Sequence, residues 1–379
     1  MIEPLSPSRS FNQVSIDSSA LQVNFKILQQ RVGPDVRVMA MVKADGYGHG
    51  MIQAAVNFTR AGCDCFGVAE ISEGISLRRA GIGGQIFVLL GFLPSEEQLF
   101  FDYDLTPVIV DHRAIELLSQ AAVKNGKELA VHLKVDCGMG RLGIMPSELQ
   151  EFLSHLEECR GLSLAGIMSH FPMADNPASR HTLDMYQHFK NVCRQSLKAP
   201  PALCHIANSG AALYFPETCC DMVRPGISLY GYYPDGAKVR QDHETEKLVP
   251  AMSFTTQVVQ VKSVPAGTGI SYGHSFITDQ ETRIAVLPVG YADGFLRALS
   301  NKAQVLIKGQ RARILGRICM NLCMADISGI QGVETGEQVV ILGSQGAETI
   351  TADEIAEWMG TISYEVLCLF GNNNERNYT

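Results

Sequence analysis

Through the first two-thirds of the chain, short apolar or β-branched runs recur roughly every 20 to 30 residues, and the segments between them carry helical spacing. The runs Val36–Val42, Cys65–Ala69, Ile86–Leu90, Leu105–Val110, Leu129–Asp136, Leu162–Ser169, Leu203–Ala207 and Met222–Ile227 predict eight strands. Stretches such as Asp111–Lys124 and Ser179–Leu197 predict the helices between them. Eight consecutive βα units in about 220 residues, without a long insertion, favour a closed (β/α)8 TIM barrel over an open doubly wound sheet. The pattern changes at Tyr232–Pro250, which is polar, charged and reads as a linker or excursion. Beyond it, Phe254–Val264, Arg283–Val289, Gln304–Ile307, Arg311–Leu315 and Gln338–Leu342 predict strands separated by Gly-rich turns, closed by one short helix around Ala352–Met359. The expected architecture is α/β: a barrel domain over residues 11–246 and an all-β C-terminal domain over 247–379, with which the segment 1–10 is a candidate to pair.

Composition narrows the class. With 46% hydrophobic and 18% charged residues among 379, the chain has the make-up of a well-buried enzyme. The net charge of -8 and the lack of a basic run argue against a nucleic-acid partner. The residues through Asp17 contain no apolar core of a secretory signal, and the longest apolar stretches, such as Ile86–Leu90, are only strand-length. Neither a membrane partner nor export is expected, so the expected location is the cytoplasm. The eleven cysteines show no repeated pair spacing, so they are expected to be reduced, mostly buried thiols, and no metal site is expected.

Chemistry in such a barrel belongs at the C-terminal ends of the strands. There the first strand runs into Lys43 and then Asp45-Gly46-Tyr47-Gly48. Alone, Lys43 would read as a strand-end charge reaching for water. Desolvated, the same amine becomes a nucleophile for carbonyl compounds. Two further strand ends offer anion-binding backbone: Asn208-Ser209-Gly210 after the seventh strand, where Ser209 could cap a helix, and Arg224-Pro225-Gly226-Ile227 after the eighth. Phosphate sites of such barrels lie after strands seven and eight.

These segments closely resemble alanine racemases. The resemblance runs nearly the whole chain: VKADGYGHG at 42–50, HLKVDCGMGRLG at 132–143, MSHF at 168–171, HIANSGA at 205–211, RPGISLYG at 224–231, ISYGHSF at 270–276, PVGYADGF at 288–295, GRICMN at 316–321 and ISYEV at 362–366. It implies pyridoxal 5'-phosphate held as an imine on Lys43, which also acts as one acid/base. Tyr47, Asn208, Ser209, the backbone of Gly226 and Ile227, and Tyr364 would serve the phosphate, and His170 would pack on the pyridine ring. Arg224 would donate to the pyridine nitrogen; arginine gives up no proton, so the ring would stay a mild electron sink with few side reactions.

Racemisation needs a second proton-transfer group on the opposite face. The resemblance assigns this to Tyr272, delivered by a partner subunit in a homodimer with shared sites. Taken alone, Tyr272 would read as an aromatic packed in the β core. An ordinary tyrosine pKa near 10 is too high for a base at neutral pH, so nearby positive charge would have to favour the phenolate. Arg141 would meet the substrate carboxylate and the cofactor's phenolic oxygen, and Lys134 matches a lysine that many members carry as a carbamate. Met320 and Tyr291 resemble residues of the substrate entrance, although Met320 could equally fill a core. The product, D-alanine, would supply the bacterial cell wall. Alternatives are a serine or broad-specificity racemase, a non-catalytic cofactor-binding barrel, which would lack the β domain, and a decarboxylase of the same fold type, which Arg224 disfavours. Two departures stand out: Asn321 replaces the family's usual aspartate, and the Asn-rich end from Phe370 to Glu375 is expected to be disordered.

Overall fold

The computed structural model describes residues 10–197, 203–236 and 247–379. They divide into two units: the described residues of 19–47 and 51–249, and those of 10–18, 48–50 and 250–379. In chain order the strands begin with β1 (Gln13–Ile16), β2 (Arg37–Val38), β3 (Ala40–Met41), β4 (Cys65–Val68), β5 (Gln85–Val88), β6 (Thr106–Ile109), β7 (Leu129–Lys134), β8 (Leu162–Met168), β9 (Leu203–His205) and β10 (Met222–Val223).

β3 to β9 form one parallel sheet in sequence order, and β10 pairs in parallel with β2. Hydrogen bonds from Met39 N to Val223 O (2.9 Å), Met41 N to Pro225 O (3.2 Å) and Arg224 N to Ala207 O (2.9 Å) join the two edges. The first unit is therefore a closed (β/α)8 barrel, in which no strand edge is left to pair elsewhere. Its strands read as continuous apolar runs because both faces are covered: β4 and β6 are buried at every position. The expected first strand, Val36–Val42, is split at Met39 into β2 and β3, which serve different neighbours. The interior holds Met39, Met41, Phe87, Val108, Met168 and Met222, with Gly67 leaving the space that the sulfurs of Met39 and Met41 fill. The outer helices follow their local signals. His112–Asn125 starts at Asp111, whose side chain accepts from Ala114 N (2.8 Å), buries Ile115, Leu118 and Ala122, and stops at left-handed Gly126.

The second unit is mostly antiparallel. Its later strands are β11 (Met252–Gln257), β12 (Gln260–Val264), β13 (Gly269–Ile270), β14 (Phe276–Ile277), β15 (Thr282–Leu287), β16 (Gln304–Ile307), β17 (Gln310–Arg313), β18 (Cys323–Asp326), β19 (Gln338–Gln345), β20 (Glu348–Ile350) and β21 (Arg376–Tyr378). The main sheet runs β17-β16-β19-β11-β1-β21, beside a three-stranded sheet β12-β15-β18. β1 pairs antiparallel with β11, so the described beginning of the chain goes with this unit. The segment 1–10 expected to pair here lies, up to residue 9, outside the described residues.

The expected disordered end is not found. Besides the expected helix, Ala352–Met359, the chain forms a second one, Ser363–Asn373, and then β21, parallel to β1. Val366, Leu367 and Phe370 are buried, and Phe370 meets Phe254 edge-on at 5.0 Å. The asparagines that suggested disorder finish the helix instead: Asn374 Nδ2 donates to Phe370 O (2.8 Å) and Asp293 O (2.9 Å). No helix of the described residues is long and apolar enough to cross a membrane. All eleven cysteines are free, and Cys63, Cys65, Cys219 and Cys323 are buried while the other seven are partly exposed. Among the described residues no three His, Cys, Asp or Glu side chains gather as a metal site.

Candidate active site

The barrel strands end in an unusual turn at Lys43. Ala44, Asp45 and Gly46 all adopt left-handed backbone, with φ of 53°, 53° and 63°, and Tyr47 follows at 54°. Each non-glycine residue there costs about 1–2 kcal/mol. The turn is held from outside: Glu73 Oε1 accepts from Ala44 N (2.8 Å), and Asp45 Oδ1 accepts from Met51 N (2.8 Å). Glu73 Oε2 is itself anchored by Ala69 N (2.6 Å). Lys43 thus sits half-buried at the head of a fixed loop. The turn also delivers Tyr47, whose ring stacks on Tyr230 at 5.0 Å. Its hydroxyl lies so close to Gly226 that a β-carbon at position 226 would overlap it.

Opposite stand the ends of β9 and β10. The helix Ser209–Tyr214 is capped by Asn208, not by Ser209 as expected: Asn208 Oδ1 accepts from Ala211 N (3.1 Å). Capping by Asn208 leaves the Ser209 hydroxyl for another task, and it accepts from Gly226 N (2.8 Å) and Ser228 N (3.4 Å). The Tyr47 hydroxyl, the Ser209 hydroxyl and the Gly226 N–H therefore converge, with buried Ile227 next in the chain. Two hydroxyls beside a gap that only glycine leaves open, one of them held by the Gly226 N–H, form a cradle for an oxyanion.

Beneath the cradle the charges are one-sided. Arg224 is buried, donating to Ser169 O (2.5 Å), His205 Nδ1 (2.8 Å), His170 Nδ1 (3.3 Å) and Ile206 O (3.3 Å). Burial lowers its pKa to about 9, which leaves it charged at neutral pH. Half-buried His170 is held neutral by burial and then by the fields of Arg224, Arg141, Lys134 and Lys43, which push its pKa well below the usual value. Lys134, at the end of β7, is 7% exposed; burial and then Arg224, Arg141 and Lys43 lower it to about 8 against the pull of Asp136. Four cations thus surround one neutral imidazole.

Asp136 is the nearby acid, and its oxygens are already committed. They accept from the backbone of Gly138 (3.0 Å), Met139 (2.7 Å), Gly140 (3.1 Å) and Arg141 (2.7 Å). Burial opposes its charge, yet these four donors win and hold the carboxyl below its usual range. Asp136 therefore folds the loop that carries exposed Arg141. Glu73, Asp136, His132 and His205 were assigned no role from the sequence. Only Asp136 carries a local signal there, an acid followed by a Gly-x-Gly turn.

The C-terminal unit holds the remaining candidates. Tyr272 is 66% exposed in a short turn, Tyr272–His274, that follows left-handed Ser271, so it is not the β-core aromatic its neighbours in sequence suggest. It lines an open cavity of about 520 Å³ with Ser271, Gly273, Cys319 and Leu322. The Arg317 guanidinium lies against Gly273. Met320 is 56% exposed and fills no core, and Tyr291 is also exposed. Tyr364 is half-buried in the first turn of the Ser363–Asn373 helix.

The family model for the N-terminal domain of alanine racemases matches residues 16–234, and that for their C-terminal domain matches 251–378. The alanine racemase of Halothermothrix orenii is 40% identical over 365 residues, covering 96% of this chain and 95% of its own. Among solved structures, alanine racemase from E. faecalis superposes with a TM-score of 0.91 at 34% identity, over 97% of this chain and 98% of that one. The Bacillus anthracis enzyme with bound L-Ala-P gives 0.88 at 31% identity, over 99% and 96%. Alanine racemase from Bartonella henselae with covalently bound pyridoxal phosphate gives 0.88 at 28%, over 98% and 100%.

Proposed function

This chain belongs to the alanine racemase family, and we propose that it interconverts L-alanine and D-alanine with pyridoxal 5'-phosphate as cofactor. The observation that carries the reading is the gathering of Lys43, Lys134, Arg141 and Arg224 about neutral His170, beside the Tyr47–Ser209–Gly226 cradle. A phosphate-bearing aldehyde with an ionised ring oxygen fits such a site: its anions meet cations and N–H groups, and its carbonyl meets a partly desolvated amine.

Lys43 would hold the cofactor until the substrate amine takes its place, and the cofactor would supply the electron-withdrawing group that makes the substrate's α-proton removable. The Ser209 hydroxyl, the Tyr47 hydroxyl and the Gly226 and Ile227 N–H groups hold the phosphate, with Tyr364 as a further donor. Asn208 contributes by capping the helix that presents Ser209. His170 backs the ring as a neutral surface. Arg224 donates to the pyridine nitrogen and has no atom that accepts a proton, so that nitrogen stays unprotonated. Arg141 receives the substrate carboxylate. Lys43 removes or returns the α-proton on one face, and the partner subunit's Tyr272 does so on the other.

Support for a homodimer lies in the exposure of Tyr272, Met320, Leu322 and Ile277, at 66%, 56%, 43% and 60%, which a single chain leaves to water. Tyr291 and Met320 then line the entrance. Lys134 becomes a carbamate, an anion that steadies Arg141. The enzyme works in the cytoplasm, where its eleven free thiols stay reduced, and its D-alanine goes to peptidoglycan.

Purified protein given pyridoxal 5'-phosphate is expected to show a visible imine band and to form D-alanine from L-alanine. Lys43→Ala should lose both. An unchanged band in that variant would remove Lys43 from the site.

A further inference from the structure

Below Arg224 two buried histidines form a relay. Arg224 Nη1 lies 2.8 Å from His205 Nδ1, and His205 Nε2 lies 2.8 Å from His132 Nδ1. Both rings are fully buried. His132 Nε2 has no hydrogen-bond partner among the described residues, and its ring stands perpendicular to Phe87 at 4.7 Å. On the neighbouring strand Gly166 leaves the room: a methyl group there would overlap the His132 ring, and the β7–β8 register shifts at Val131/His132.

Hydrogen positions follow from the donors. A guanidinium only donates, so His205 Nδ1 must be bare. Neutral His205 then carries its proton on Nε2 and donates it to His132 Nδ1, which must also be bare. His132 is left with its proton on Nε2, the atom without a partner. Any other arrangement of two neutral rings sets two hydrogens or two lone pairs face to face. Both histidines are kept uncharged by burial and then by Arg224.

Resting on the racemase reading, we propose that His132 is a positioning residue: its bare Nδ1 accepts the His205 Nε2 proton and holds that ring in place, which in turn fixes the Arg224 guanidinium against the cofactor's pyridine nitrogen. The barrel tolerates an unsatisfied imidazole N–H because the opposite ring atom is needed as an acceptor. Without that acceptor the His205 Nε2 proton is buried without a partner and its ring is free to turn, Arg224 loses the firm hold of one of its anchors, and the pyridine nitrogen becomes open to protonation.

His132→Phe keeps the aromatic volume and removes the acceptor; His132→Asn places an oxygen near the Nδ1 position. In cofactor-free protein labelled with ¹⁵N-histidine, NMR should show His205 protonated at Nε2 with that proton slow to exchange in the wild type and in His132→Asn, and the same proton exchanging faster in His132→Phe. In the loaded enzyme, His132→Phe should lower kcat by on the order of ten- to a hundred-fold with KM little changed, the size seen when groups that orient an active residue are lost. It should also release more pyridoxamine phosphate per turnover, with one pyruvate left from the alanine that gave up its amino group, and His132→Asn should reverse both effects. His205 protonated at Nδ1 in the wild type overturns the proposal, even if His132→Phe fails to fold. So does a folded His132→Phe enzyme with wild-type kcat and side-product yield, or one that His132→Asn does not improve upon. The NMR arm needs no turnover: the expected tautomer in a wild type that does not racemise alanine would count against the function alone.

Discussion

Lys134 shows how far one side chain can be moved by its surroundings. Burial and three neighbouring cations bring its pKa from 10.5 to about 8, so about a tenth of it is neutral amine at pH 7. A neutral amine is what attacks carbon dioxide, its nitrogen bonding to carbon as a proton leaves to water, which makes the carbamate chemically reasonable. The folded value lies below the unfolded one, so between about pH 8 and 10.5 the unfolded chain binds more protons and stability rises with pH. Below pH 8 the buried cation costs roughly 3 kcal/mol. Lys134→Met should therefore stabilise the cofactor-free protein at pH 7, with the gain vanishing towards pH 10.5. Bicarbonate should raise the Tm of the wild type and leave that of Lys134→Met unchanged; a wild-type Tm indifferent to bicarbonate would exclude the carbamate. Asp136 has the opposite sign. Its pKa is depressed, so its stabilisation is present above the ordinary carboxylate range and is lost as acid protonates it. Asp136→Ala should cost about 1–3 kcal/mol and raise KM for alanine by loosening Arg141, both measurable by denaturant titration and steady-state kinetics. The loss in stability should shrink on acidification.

Among elements, the turn after β3 departs most from what periodicity predicts. Ala44, Asp45 and Tyr47 together store about 3–6 kcal/mol in left-handed backbone, held by Glu73 and Asp45. Ala44→Gly should relieve part of it and stabilise the protein by about 1 kcal/mol, a sign opposite to Ala→Gly in an ordinary helix. Glu73→Ala should weaken cofactor binding more than it lowers Tm, as fluorescence titration with pyridoxal 5'-phosphate can test. The eight strands were legible because burial on both faces writes apolar runs into the sequence. Lys43 was legible as a strand end, but the handedness of its turn was not, because Ala44 and Asp45 carry no glycine signal. The end of the chain misled in the other direction. Its asparagines look like disorder, whereas Asn374 caps a helix whose apolar side, Val366, Leu367 and Phe370, packs within the C-terminal unit. The His132–His205–Arg224 relay was hidden for a third reason. Its residues are 73 and 19 positions apart, and only strand adjacency brings them together.

At the scale of the molecule, the two units hold different candidate residues. The barrel holds Lys43 and the cationic pocket, and the C-terminal unit holds Tyr272 with exposed apolar neighbours. In a two-fold dimer each site would take Lys43 from one chain and Tyr272 from the other. Mixing inactive variants tests this directly. Lys43→Ala and Tyr272→Phe are each expected to have lost nearly all racemisation. Unfolded and refolded together in equal amounts, they form heterodimers in which one site joins an intact Lys43 to an intact Tyr272 and the other joins two altered residues. With random pairing, activity should return to about a quarter of wild type. A mixture that sediments as dimers yet stays as inactive as its parents would show that Lys43 and Tyr272 do not meet across a subunit boundary, and would contradict the shared two-base site.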